Sequence, residues 1–352
     1  MRISDRFKGR EAYSPGGKPC PVVLNANESF VRPSAELMEE FQAILANCDF
    51  NRYPDPRATA LCQAFADLFK VDWKNVTVGN GSDELIELLF ACLVAPHDRV
   101  VTVNPDFSMY GNGAYMNGVE EIVYQQEDYS INVDTLIALC KERDAAMLIF
   151  SNPCNPTGVE LPREAVLRIL DEFDGIVVVD EAYMDFSDQS VLDLAGTKEN
   201  LIVLKTCSKA LGMAGLRVGF AVTTPEMTSY LQIGKPFYNV GRLTQELATA
   251  VLRREDEIHQ AIDTINDSTK ALMNGLVALA EKYEALGKIL PSATNFAYVV
   301  TDAAPEIFEK MQAHGVLIRK PQANALRINS GTKEENAACL SALEASLKEL
   351  EQ

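Results

Sequence analysis

The chain has 352 residues, 47% of them hydrophobic, and a formal net charge of −18. That length buries a sizeable core and has room for two domains, while the acidic balance argues against a nucleic-acid partner, which needs a basic face. No apolar run reaches the roughly 18 residues of a membrane span, and the N-terminal stretch has no signal-peptide core, so no membrane partner and a cytoplasmic location are expected.

In chain order, the segment up to about Phe30 is loop-rich and is expected to pack on the C-terminal part. Seven Val- and Ile-rich runs follow, at 76–79, 99–103, 120–124, 146–150, 175–180, 201–206 and 218–222. They are apolar on both faces and alternate with helical patterns such as 82–94 and 162–173. This predicts an α/β domain with a mostly parallel seven-stranded sheet covered on both sides. From about 244 to 286 the pattern is helical and charged, one long helix or two. Runs at 295–300, 315–320 and 325–331 read as strands, and 333–350 as a final helix, which together predict a smaller α+β domain. The expected division is 30–245 for the large domain, with 1–29 and 246–352 forming the small domain and an N-terminal arm. The eight cysteines stand singly and the histidines His97, His259 and His314 are scattered, so reduced thiols and no metal site are expected.

Ligands of an open parallel sheet bind at the carboxyl ends of its strands, and the polar turns of this sequence gather there. After the first run, "GNGSDE" places Gly81, Ser82 and Asp83 at a helix start, which suits a phosphate but equally an ordinary connection. In "NPDFSMY" stand Phe107 and Tyr110. "SNPCNPTG" is a rigid turn that fixes the amide of Asn155. In "DEAY", Asp180 closes an apolar strand and needs a partner. A protonated pyridine nitrogen would serve, as would a plain capping role, and Tyr183 follows within reach of a phenolic oxygen. In "TCSKALGMAGLR", Lys209 is either a packing accident or a reactive amine. Thr206, Ser208 and Arg217 around it suit a phosphate, beside which a neutral amine can attack an aldehyde. Taken together, phosphate, ring nitrogen, phenolic oxygen and aldehyde describe one ligand, pyridoxal 5′-phosphate.

In the order Asn155, Asp180, Tyr183, Lys209, Arg217 the chain resembles the fold type I pyridoxal-phosphate aminotransferases of class I/II, over nearly its whole length. The stretches "LNANES", "NRYPDP", "NPDFSMY", "TCSKALGMAGLRVGF" and "LRINSGTKEEN" make it most similar to the histidinol-phosphate branch of that family. The resemblance implies a transaminase of histidine biosynthesis working on a small amino donor and a 2-oxo acid. An aromatic or broad-specificity aminotransferase and a threonine-phosphate decarboxylase are its rivals. It implies that Lys209 binds the cofactor and moves the substrate proton, that Asp180 pairs with the ring nitrogen, and that Tyr183 and Asn155 hold the ring oxygen. Gly81, Ser82, Asp83, Thr206, Ser208 and Arg217 would hold the phosphate. Phe107 would stack on the ring, with Tyr110 as the alternative. Asn27, Tyr110, Arg319 and Arg327 would meet the substrate. Tyr53 would reach into the site of a partner, implying a homodimer with shared active sites. The sequence departs from the family at Cys154, Lys205 and Cys207, and in "FVRPSAEL" after "NANES".

Overall fold

Strands that are apolar on both faces must be covered on both faces, and the chain meets that demand with one layered sheet. The computed structural model describes residues 17–351; residues 1–16 of the expected arm and residue 352 lie outside the described residues. The chain enters with β1 (Val22–Val23), α1 (Ala35–Asn47) and α2 (Thr59–Phe69). It then alternates through β2 (Val76–Gly79), α3 (Ser82–Leu93), β3 (Arg99–Asn104), α4 (Met109–Asn117), β4 (Glu120–Gln125), α5 (Val133–Glu142), β5 (Met147–Ser151), α6 (Arg163–Glu172), β6 (Ile176–Asp180), β7 (Leu201–Thr206) and β8 (Gly219–Val222). Next come the helices α7 (Pro225–Gly234), α8 (Arg242–Leu252) and α9 (Glu255–Lys282). The C-terminal part holds β9 (Lys288–Ile289), β10 (Phe296–Val300), α10 (Ala304–Ala313), β11 (Val316–Leu317), β12 (Arg319–Gln322), β13 (Ala325–Asn329) and α11 (Lys333–Leu350).

The seven expected runs form one sheet in the order β2-β8-β7-β6-β5-β3-β4. All neighbours are parallel except β8, which runs antiparallel to both β2 and β7. Every residue of β5 and β7 is buried. One apolar cluster packs on each face, the first around Phe65, Phe150 and Val203 and the second around Ile86, Leu89 and Ile202. The strand order reverses between β5 and β3, so the carboxyl ends of the central strands open on a crevice.

The C-terminal strands make an antiparallel sheet, β12-β13-β10-β9, under α9, α10 and α11. Helix α11 begins where its capping box dictates, with Thr332 accepting from Glu335 N–H and the Glu335 side chain returning to Thr332 N–H. The 315–320 run, expected as one strand, is two. Val316 and Leu317 pair in parallel with β1, and Arg319 starts a new pairing with β13. The break leaves Val316 and Ile318 in the core while Arg319 faces the crevice. Leu24 is buried in that core beside Leu272 and Leu326, and its N–H donates to Leu317 O at 2.7 Å. Helices α8 and α9 separate at Arg253–Arg254. No helix among the described residues is long and apolar enough to cross a membrane.

Gly219 opens β8 directly behind the start of α3. A Cβ there would stand 2.5 Å from Ser82 N and 2.7 Å from Gly81 C, both backbone atoms that cannot swing aside. Gly219→Ala is therefore expected to cost about 1–3 kcal/mol, read as a lowered melting temperature of the ligand-free protein. It should also push the α3 N-terminus out of the crevice.

Candidate active site

A cleft of about 700 Å³ lies at the carboxyl ends of β3, β5, β6 and β7, closed on the other side by residues 25–28 and by β12 and β13. Of the residues singled out in the sequence, Asn27, Ser82, Asp83, Phe107, Tyr110, Asn155, Asp180, Tyr183, Thr206, Ser208, Lys209, Arg217, Arg319 and Arg327 line it. Gly81 lies just behind the lining as the N-cap of α3. Tyr53 does not reach it: the ring is 76% exposed and stacks on Tyr238 with centroids 4.6 Å apart.

One end of the cleft suits an anion. Gly81 takes φ +82°, and a Cβ there would approach Arg217 Nη2 at 2.6 Å. The glycine thus lets the guanidinium close over the helix start, whose first N–H groups are unpaired by the helix itself. Arg217, in the left-handed region at φ +54°, donates to Asp83 Oδ2 at 3.1 Å and to Ala214 O at 3.2 Å. The Arg217–Asp83 pair is nearly half exposed on both sides, so it is weak and yields readily to a better anion. Thr206 Oγ1 donates to Ser208 Oγ at 3.0 Å beside it.

The middle of the cleft is acidic. Asp180 is buried at the end of β6 and accepts from Tyr110 Oη at 2.9 Å and from Ala182 N–H at 3.1 Å. Neither donor is a cation, and burial pushes the carboxyl up to about 6 against the lowering effect of the Tyr110 bond. Tyr110, expected among the substrate contacts, lines the cleft with its hydroxyl committed to Asp180. The ring is 1% exposed, and burial with the nearby carboxylates holds its hydroxyl protonated. Phe107 meets that ring edge-on at 5.7 Å.

Asp106 is a carboxylate that the sequence reading passed over, because "NPD" reads as a turn. It accepts from Ser151 N–H at 2.9 Å, from Phe107 N–H at 2.7 Å and from the Ser151 hydroxyl. Burial still raises it to about 7, and the charge of Asp180 adds to the effect. Ser151 also receives Asn155 N–H at 3.0 Å, so Asp106 ties the Phe107 turn to the Asn155 turn.

At the other end Lys209 Nζ donates to Ala26 O at 3.0 Å. Tyr183 Oη accepts from Asn27 Nδ2 at 2.8 Å, and Asn155 Oδ1 accepts from Arg327 Nη1 at 2.6 Å. Asn27 is itself fixed by Asn329 and Asn295, neither of which the sequence reading named. Its Oδ1 is buried without a hydrogen-bond partner, a costly state that a donor on a ligand would relieve. Arg319 and Arg327 are cross-strand partners, and both line the cleft. Cys154 and Cys207 are fully enclosed, and burial pushes both thiols up to about 12, so they pack rather than react. No cluster of metal-ligating side chains occurs among the described residues.

An anion seat, a buried carboxylate without a cation, an amine and paired phenol and amide groups in one cleft fit a phosphorylated pyridine aldehyde. Comparison with known proteins points the same way. The sequence profile of the family Aminotransferase class I and II matches residues 21–343. A histidinol-phosphate aminotransferase of Clostridium novyi (strain NT) is 37% identical over 335 residues, 94% of this chain and 93% of its own. One of Bacteroides fragilis is 33% identical over 350 residues, 97% and 95% of the two chains. The crystal structure of histidinol-phosphate aminotransferase from Sinorhizobium meliloti in complex with pyridoxal-5′-phosphate superposes with a TM-score of 0.89 at 24% identity, covering 99% and 98%. That of L-threonine-O-3-phosphate decarboxylase from Porphyromonas gingivalis gives 0.79 at 22%, covering 93% and 99%. These two structural likenesses bear on the fold alone.

The raised carboxyl of Asp180 has a definite sign. Its folded value of about 6 lies above the ordinary 3.8, so its contribution to ligand-free stability is full below pH ~4 and is lost as pH rises through 6. The loss is on the order of 3 kcal/mol. Asp180→Asn should flatten the fall in melting temperature between pH 4 and 7, and so should adding the cofactor to the native protein. An unchanged slope in the variant would contradict the assignment.

Proposed function

The chain belongs to the class I and II aminotransferase family, and we propose that it moves the amino group of L-histidinol phosphate onto 2-oxoglutarate, with pyridoxal 5′-phosphate as cofactor. The observation that carries the substrate reading is the Arg319–Arg327 cross-strand pair beside the cleft. Two planar donor forks accommodate a substrate phosphate, and the same pair takes a carboxylate of glutamate. The names of the relatives support the same reading.

The cofactor supplies an electron sink that makes the α-proton of the amino substrate acidic. The residues act around it. Arg217, Ser82, Thr206 and Ser208, with the α3 N-terminus behind Gly81 and Asp83, hold the phosphate. Asp180 keeps the ring nitrogen protonated, and Tyr110 keeps Asp180 in place. Tyr183 and Asn155 would hold the ring oxygen, and Phe107 would pack against the ring. Lys209 would hold the cofactor through its amine and, once released by the amino substrate, would carry the proton to and from the substrate Cα. Asn27, Arg319 and Arg327 orient the substrate. Residues 30–245 form the cofactor-binding domain in this reading, and 246–352 with the N-terminal segment form the small one.

The protein acts as a homodimer in this proposal, with Tyr53 reaching the partner's cleft. An exposed apolar group supports it: Phe50, Tyr53, Ile233 and Phe237 are each between 69% and 87% exposed, more than an isolated surface residue requires. A reducing, cytoplasmic setting fits the eight cysteines, none of which is disulfide-bonded.

Lys209→Ala is expected to abolish turnover and the visible absorption of the lysine-bound cofactor. In a half-reaction without keto acid, L-histidinol phosphate and glutamate should each bleach that absorption. Bleaching by phenylalanine with histidinol phosphate inert would move the enzyme to broad amino-acid specificity, and carbon dioxide release would make it a decarboxylase. Arg319→Ala should raise KM for histidinol phosphate roughly 10- to 100-fold with kcat little changed. Mixing Lys209→Ala with Tyr53→Ala subunits should restore activity that neither has alone, since one site of the mixed dimer is intact.

A further inference from the structure

Outside the cleft lining, Lys205 Nζ and Asp185 Oδ1 form an ion pair at 2.5 Å, with side chains 4% and 7% exposed. Lys205 shares its face of β7 with Leu201 and Val203, and its ammonium stands 4.9 Å from the ring of Phe69 on α2. Asp185 sits in the helical turn Met184–Phe186, which directly follows Tyr183, and its second oxygen is buried without a hydrogen bond. Glu181, fully buried in the same loop, accepts from Val191 N–H and Ser190 Oγ, both at 2.7 Å. Lys205, Asp185, Glu181 and the Cys207 thiol form one electrostatic group.

A buried pair of this kind adds little net stability, because desolvation offsets the attraction. What it does fix is the placement of two segments. The last backbone bond between them is Glu181 N–H to Leu204 O at 2.9 Å. Beyond it, residues 184–187 bond back within their own turn. The β6 end carries Asp180 and Tyr183, and the β7 end carries Thr206, Ser208 and Lys209. Past Glu181 their side chains are bridged by Lys205 and Asp185.

We propose that Lys205 and Asp185 are a positioning pair that keeps the Asp180–Tyr183 turn in register with the Lys209 segment, so that all three groups meet one cofactor. The inference rests on the family's cofactor and not on the identity of the amino substrate.

The test compares holoenzymes. The double variant Lys205→Met/Asp185→Leu removes both charges together and is expected to fold with a melting temperature at or above wild type. Its kcat should fall on the order of 10- to 100-fold with KM changed less than about threefold. The pH midpoint of the bound cofactor's visible band should move by about half a unit or more. Lys205→Arg alone, which keeps the charge and its reach, should leave both readouts near the native values. The midpoint needs no amine and the glutamate half-reaction needs no histidinol phosphate, so both decide the matter even if that substrate fails. A double variant with native kcat and midpoint overturns the proposal, as does one that cannot fold, or a Lys205→Arg variant as impaired as the double.

Discussion

The structure is organised around a carboxylate that cannot be left charged and alone. Asp180 ends the central strand β6, enclosed by the sheet on both sides and supported only by a tyrosine hydroxyl and a backbone amide. A buried carboxyl of this kind carries a charge cheaply only with a partner, and a cation in front of it would supply one. The flanking strands bring a helix N-terminus, hydroxyls and a lysine to the same edge, so the rest of the cleft follows from where β6 stops. The acidic charge of the whole chain does not oppose anion binding there. Arg217 stands at the α3 N-terminus at one end of the cleft, and Arg319 and Arg327 stand on the side of β12 and β13, apart from the buried acids Asp106 and Asp180, and a near charge outweighs many distant, screened ones.

Much of this was legible in the sequence, because the information is local. Strands buried on both faces leave continuous Val and Ile runs, and the polar turns after them mark the binding edge. What escaped depends on pairing across distance. The run 315–320 is uniformly β-like, and only the competing partners β1 and β13 divide it. Asp106 looks like a turn residue until Ser151 is seen to receive it. Lys205 and Asp185 are 20 residues apart, each a small polar interruption in an apolar stretch, and nothing in either stretch announces the other. Asn329 and Asn295 reach the cleft only through their grip on Asn27.

Residues 25–27 belong by their neighbours to the C-terminal sheet, through Leu24–Leu317 and Asn27–Asn329. Several of their polar groups bond to side chains that line the cleft. Ala26 O accepts from Lys209, Asn27 Nδ2 donates to Tyr183 Oη, and Asn25 O accepts from Arg327, which in turn donates to Asn155. These three residues therefore work as a template. They hold the amine, the phenol and the guanidinium at their stations before any ligand arrives, so little rotamer entropy remains to be lost on binding. Ligand entry is then largely an exchange of partners, in which the bonds these residues make to the chain give way to bonds with the newcomer. Affinity built that way comes from the difference between two good partners, which makes the site selective among closely similar anions and amines rather than merely adhesive.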